Sequence, residues 1–151
     1  MKFFLLAPTV DGHFGDKSVF IDRGARPPKI EKLHFVLDAF SGDDLIESIG
    51  TYVITKRLAN LLQTVVPKIT GISFDDVEIS KSDEYCWSQV EGFSYAPEHP
   101  PEFVWLKING EAGIDDFANP GRGDLVVSER ALHVLRSLNL ERCEIKEFNS
   151  V

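Results

Sequence analysis

The chain has 151 residues, 43% of them apolar and 26% charged, and a formal net charge of −8. That length suits one globular domain or two small intertwined halves, and the apolar content excludes a disordered chain. No apolar run approaches the ~20 residues of a membrane span, and an acidic chain lacks the clustered Lys and Arg that grip phosphate backbones.

The predicted elements begin with a strand over Phe3-Phe4-Leu5-Leu6-Ala7, ended by Pro8. Its apolar stretch is shorter than the ~7–15 residues of a secretory h-region. Residues 8–28 carry Gly12, Gly15, Gly24, Pro27 and Pro28 and read as loop-rich connection. Leu33-His34-Phe35-Val36-Leu37 is a second strand, followed by the acid pair Asp43-Asp44. Tyr52-Val53-Ile54 then runs into Thr55, whose hydroxyl suits a helix N-cap, and Leu58, Leu61, Leu62 and Val65 fall at i, i+3, i+4 and i+7. Pro67 ends that helix, and Ile72 to Ile79 is strand-like.

Residues 75–116 hold eleven acids against Lys81 and Lys107 alone, together with both tryptophans and two of the three tyrosines. The segments on either side are close to neutral, so the acidity belongs to this stretch. Ala96 to Pro101, with three prolines, is a loop within it. Phe103 to Ile108 is a strand, Asp115-Asp116 a second acid pair, and Asn119 to Asp124 a Gly-rich turn containing an RGD tripeptide. Leu125-Val126-Val127 leads into a Ser128 cap and a helix with Ala131, Val134, Leu135 and Leu138 in the same phase as the first. Asn139 reads as a left-handed stop, and Cys143 to Phe148 follows as a strand.

The two helical stretches therefore repeat one another. Strand, acid pair, strand, hydroxyl cap, Arg, helix and strand occur over about 33–79 and again over about 103–148. The expected fold is a single α+β domain over 1–151, built from a duplicated unit, with a mostly antiparallel sheet and two main helices. In each copy an acid recurs with an arginine. Asp44 with Thr55 and Arg57, and Asp116 with Ser128 and Arg130, are expected to be structural, a turn carboxylate accepting backbone N–H groups or a guanidinium.

Catalytic and metal motifs are absent: there is no GxSxG, GxxxxGK[ST], HExxH or post-strand GxGxxG. His13, His34, His99 and His133 stand in unrelated contexts, and Cys86 and Cys143 lack metal-ligand or disulfide spacing. No metal and no cofactor is expected, and two isolated thiols fit a reducing cytoplasm. An enzyme reading would centre on Asp115 and Asp116. The alternative is a binding surface: Asp75, Asp76, Glu78, Asp83, Glu84 and Glu91 around Tyr85, Trp87 and Phe93, the carboxylates steering a basic protein and the aromatics anchoring it. Against it stands the plainer arrangement of a solvated acidic face with its aromatics turned inward.

The run Phe117…Leu125-Val126-Val127-Ser128-Glu129-Arg130-Ala131-Leu132…Leu135, preceded by Trp105-Leu106 and Asp115-Asp116, resembles bacterial immunity proteins encoded beside polymorphic toxins. Tyr52-Val53-Ile54-Thr55-Lys56-Arg57 resembles the same family's strand-cap-helix element. The resemblance spans about residues 33–148. It implies a small, cytoplasmic, non-catalytic protein that binds and blocks a cognate toxin enzyme; the composition separately leaves no nucleic-acid or membrane partner expected. It carries over no site residues. A non-toxin adaptor module is the remaining alternative.

Overall fold

The computed structural model describes residues 2–121 and 124–149. Arg122 and Gly123 of the RGD tripeptide lie outside the described residues. The N-terminal part consists of β1 (Phe3–Ala7), β2 (Gly12–Phe14), β3 (Val19–Asp22), β4 (Lys29–Leu37), β5 (Leu45–Ser48), β6 (Thr51–Thr55) and α1 (Lys56–Thr64). It is followed by β7 (Ile72–Asp75), β8 (Val77–Lys81) and α2 (Asp83–Val90). The C-terminal part holds β9 (Phe103–Ile108), β10 (Phe117–Ala118), β11 (Leu125–Ser128), α3 (Glu129–Arg136) and β12 (Glu144–Phe148).

Two four-stranded antiparallel sheets share one plan. The first runs β5-β6-β9-β7 and the second β10-β11-β1-β12. In each, a strand ends on a hydroxyl cap that starts a helix, and the strand after that helix returns to the same sheet. Between those two strands lies one drawn from elsewhere in the chain. β9, which precedes the second unit, is inserted in the first sheet, while β1, which precedes the first unit, is inserted in the second. The registers match: Thr55 faces Phe103 as Ser128 faces Phe3, and Tyr52 faces Leu106 as Leu125 faces Leu6. Even the helix entries correspond, with Lys56 N–H donating to the Glu102 carbonyl at 2.9 Å and Glu129 N–H to the Lys2 carbonyl at 3.1 Å.

β4 belongs to a third sheet. Residues 12–22 run antiparallel to it as β2 and β3, and β8 pairs with it in parallel, Leu33 facing Val77 and Leu37 facing Lys81. This corrects the alignment of residues 33–37 with 103–108. The strand that occupies the position of β9 is β1, and the match of β4 was one of composition alone.

The first sheet is the middle layer. Leu45, Tyr52, Ile54 and Leu106 turn toward a core shared with Leu58 and Leu62 of α1, Leu132 and Leu135 of α3, and Leu6, Leu125 and Val127 of the second sheet. Ile46, Val53 and Trp105 turn the other way, onto Leu33, Phe35 and Leu37 of β4 and Tyr85 of α2. Both faces being covered explains why β6 is buried at all five positions and reads as an unbroken apolar run. The architecture is α+β, mostly antiparallel, with three helices among the described residues. The additional one, α2, is capped by the Ser82 hydroxyl accepting from Tyr85 N–H, and Asp83 and Glu84 lie in its first turn, where the helix dipole favours negative charge.

Candidate functional site

The two acid pairs sit where the intertwined units lock together. Asp44 is 1% exposed. It accepts from Arg57 Nε at 2.7 Å and Nη2 at 2.8 Å, from the Thr55 hydroxyl, and from Asn139 N–H at 2.9 Å. Thr55, its proton directed at Asp44, has its oxygen free to cap α1 at Leu58 N–H. Asp116 repeats the pattern, with Ser128 Oγ at 2.6 Å, Arg130 Nε at 2.9 Å and Nη2 at 2.7 Å, and Thr70 N–H at 2.9 Å. Ser128 in turn caps α3 at Ala131 N–H.

The backbone donors cross over. The acid of the first unit holds Asn139, after α3, and the acid of the second holds Thr70, after α1. Asn139 is therefore not a left-handed helix stop. Ile49 is the one non-glycine residue with positive φ among those described, and α3 ends at Ser137 in a right-handed conformation. Gly71 allows the corresponding approach on the other side, since a Cβ there would lie 2.1 Å from the Phe117 carbonyl oxygen.

Burial by itself raises both carboxyls. The Arg57 guanidinium, the Thr55 hydroxyl and the Asn139 N–H outweigh it at Asp44 and hold that group low, and Arg130, Ser128 and Thr70 hold Asp116 at about 2. Asp43, fully buried, accepts from Glu141 and Arg142 N–H at 3.1 and 2.9 Å, and burial pushes its pKa up against those bonds. Asp115 accepts from Glu111 N–H at 2.7 Å. With four protein donors on Asp44 and at least four on Asp116, their lone pairs are engaged within the protein, and a cation or substrate proton would have to displace those donors. No group of three His, Cys, Asp or Glu able to hold a metal occurs among the described residues. His34 is buried among its own partners, Ser80 Oγ at 2.7 Å and Lys17 N–H at 3.2 Å.

The acidic segment separates into two places. Asp75 ends β7 and Asp76 joins it to β8, and Asp75 lies 3.5 Å from Lys107 Nζ. Glu78 is engaged by Lys17 and Lys32, and Lys17 holds its carboxyl low. From Asp76 the five residues of β8, about 16 Å of extended chain, lead to α2, so these acids do not join the others. Tyr85 is also removed from the candidate surface. It is 0% exposed, and its hydroxyl donates to the Pro97 carbonyl at 2.6 Å, tying the proline-rich loop to α2. An aromatic one residue from Glu84 on an eight-residue helix points toward the β4 core, a direction that composition could not assign.

What remains together is centred on Trp87, 62% exposed. On a helix its neighbours are the residues three and four positions away, here Asp83, Glu84, Val90 and Glu91. Phe93 approaches it at 6.4 Å between ring centroids, and Tyr95 stacks on Phe93 at 5.2 Å. Val90 is 84% exposed, and Phe93 and Tyr95 are both exposed. Among the described residues no cation lies within ion-pair distance of Asp83, Glu84 or Glu91. Val90 and Tyr95 are the surface members that sequence reasoning missed. The Ser82-Asp83-Glu84 cap signal, had it been read as a helix start, would have put Val90 one turn beyond Trp87.

No family model, no curated protein and no solved structure matches this chain. Among the described residues no helix is long and apolar enough to cross a membrane.

Proposed function

We propose that this protein is an immunity-type inhibitor that binds a toxin enzyme with a basic surface and blocks it by occlusion, performing no chemistry of its own. One observation carries the reading: three exposed aromatic rings, Trp87 and Tyr95 each against Phe93, together with Val90, rimmed by the carboxylates of Asp83, Glu84 and Glu91, which have no ion-pair partner among the described residues. Apolar anchors of this size in water cost solubility and suit a partner that covers them, while the acids around them steer a basic one. The likeness of the strand-cap-helix elements to immunity proteins supports the same reading. The free thiols Cys86 and Cys143 suit a reducing cytoplasm, where such an inhibitor would act.

Co-expression with the variable C-terminal domain of a neighbouring modular toxin gene tests it. The protein should restore growth, and the variant Asp83→Asn, Glu84→Gln, Trp87→Ala should not. Trp87→Ala alone should weaken binding by about 30-fold, equivalent to about 2 kcal/mol. Failure to rescue would overturn the function. Rescue with undiminished affinity in the triple variant would move the interface elsewhere.

A further inference from the structure

A concave site lies away from α2, between the β2–β3 strands and the tip of the β5–β6 hairpin. It is a depression of about 440 Å³, within the range of small-ligand pockets. Phe14, Phe20, Pro28 and Ile49 form its apolar walls, with Arg23 and Arg26 on the rim. Phe14 meets Phe20 edge-to-face at 5.3 Å, and the Arg23 guanidinium lies 4.3 Å over the Phe20 ring. Resting over the ring, that guanidinium still carries N–H donors for a planar anion. Arg26 donates to the Arg23 and Ala25 carbonyls of its own loop. Among the described residues, neither arginine has a carboxylate within ion-pair distance. Asp16, the acid at the edge, is 95% exposed and lies 3.7 Å from His34 Nδ1.

Ile49 is the independent sign of a ligand. With φ of 46° beside Gly50 at 71°, it occupies the first central position of a two-residue hairpin turn in which both residues need positive φ. Asn or Gly fits there, whereas a β-branched residue is strained. It is also 59% exposed. Ile49 thus costs the hairpin stability in two ways, and what it supplies is an apolar wall to the depression, the kind of strain that collects at ligand clamps.

We infer that this depression binds a carboxylate carried on an aromatic or branched apolar body, the body against Phe14, Phe20 and Ile49 and the carboxylate on Arg23 and Arg26. Mostly apolar walls with guanidinium edges at the rim fit a planar monoanion better than a phosphate dianion, which calls for a denser set of donors. This inference is independent of the toxin-binding reading.

The test is a titration of the isotope-labelled protein, followed by amide NMR, with two acids: 3-phenylpropionate and N-acetylphenylalanine. Their neutral amides serve as controls. Both acids should shift the Gly15 and Ile49 amides, and each amide should bind at least about tenfold more weakly. Arg23→Gln with Arg26→Gln should erase that preference without unfolding an exposed loop. Ile49→Asn should weaken both acids about tenfold while raising the Tm. Tighter binding of N-acetylphenylalanine assigns the site to the terminal carboxylate of a peptide, and tighter 3-phenylpropionate to a free acid. Absent shifts, shifts located elsewhere, equal affinity for acids and amides, or an unchanged preference in the double variant would each overturn the assignment.

Discussion

Arg57 and Arg130 each close on a buried carboxylate, yet their loss should not cost the same. The Arg57 side chain is 63% exposed, and its two hydrogen bonds both go to Asp44. Arg130 is 33% exposed and also donates to the Pro67 and Lys68 carbonyls at 2.7 and 2.9 Å, holding the segment after α1 against α3. Arg57→Met should therefore destabilise by about 1–2 kcal/mol and Arg130→Met by about 2–4 kcal/mol in urea denaturation. Unchanged stability in both would remove the structural role. Acid should report the same bonds. Asp116 is held at about 2 in the folded protein, below the ordinary carboxyl value of 3.8, so the unfolded chain takes up that proton first. Its contribution, about 2 kcal/mol, is complete above pH 4 or so and disappears as the pH falls toward 2. Arg130→Met should flatten that limb. Glu47 works in the opposite direction: burial lifts it from 4.5 to about 7, so its contribution is greatest below 4.5 and is lost as the pH rises through 7. Glu47→Gln should be more stable than the parent at pH 8 and equal to it at pH 4.

The three helices differ in how openly the sequence announces them. α1 and α3 follow buried strands, begin on a hydroxyl and carry apolar residues at helical spacing, so burial of Leu58 and Leu62, and of Leu132 and Leu135, accompanies local periodicity. α2 has only Tyr85 and Ser88 buried, which leaves little periodic signal in eight residues. Its cap and acidic first turn were the legible part. The direction of Tyr85 was not, because it depends on β4 packing from a distant part of the chain. The cap could have placed Val90 a turn beyond Trp87, but Tyr95 lies past the helix end, where no local pattern ties it to Trp87. The thiols provide a check on this surface. Cys86 is exposed on α2, whereas Cys143 is partly covered and burial pushes it up to about 12, leaving almost no thiolate at neutral pH. Intact-mass measurement with a maleimide should find one fast adduct, located at Cys86, and a much slower one at Cys143. That adduct should also lower toxin affinity if this surface is the interface, since on the helix the label stands beside Asp83 and Val90.

On the scale of the whole molecule, the repeat was visible because cap, helix phase, acid and arginine recur at nearly the same spacing. The exchange of strands was not visible, because β1 and β9 carry no local mark of which sheet receives them. Their placement follows from antiparallel pairing across units, a long-range outcome. It has a consequence for folding. Dividing the chain in the loop between Ala96 and Pro101 leaves the N-terminal fragment with β6 and β7 but without β9 between them. The C-terminal fragment keeps β11 and β12 but loses β1. Each piece would expose a broken sheet and half of the shared core, and Asp44 and Asp116 would each lose the backbone donor supplied by the other unit. Separately expressed fragments 1–98 and 99–151 should therefore show collapsed amide dispersion, and an equimolar mixture should recover the dispersed spectrum of the intact chain. A C-terminal fragment that folds alone would show that the second unit does not need β1, and the interlock would then be a contact between independent halves.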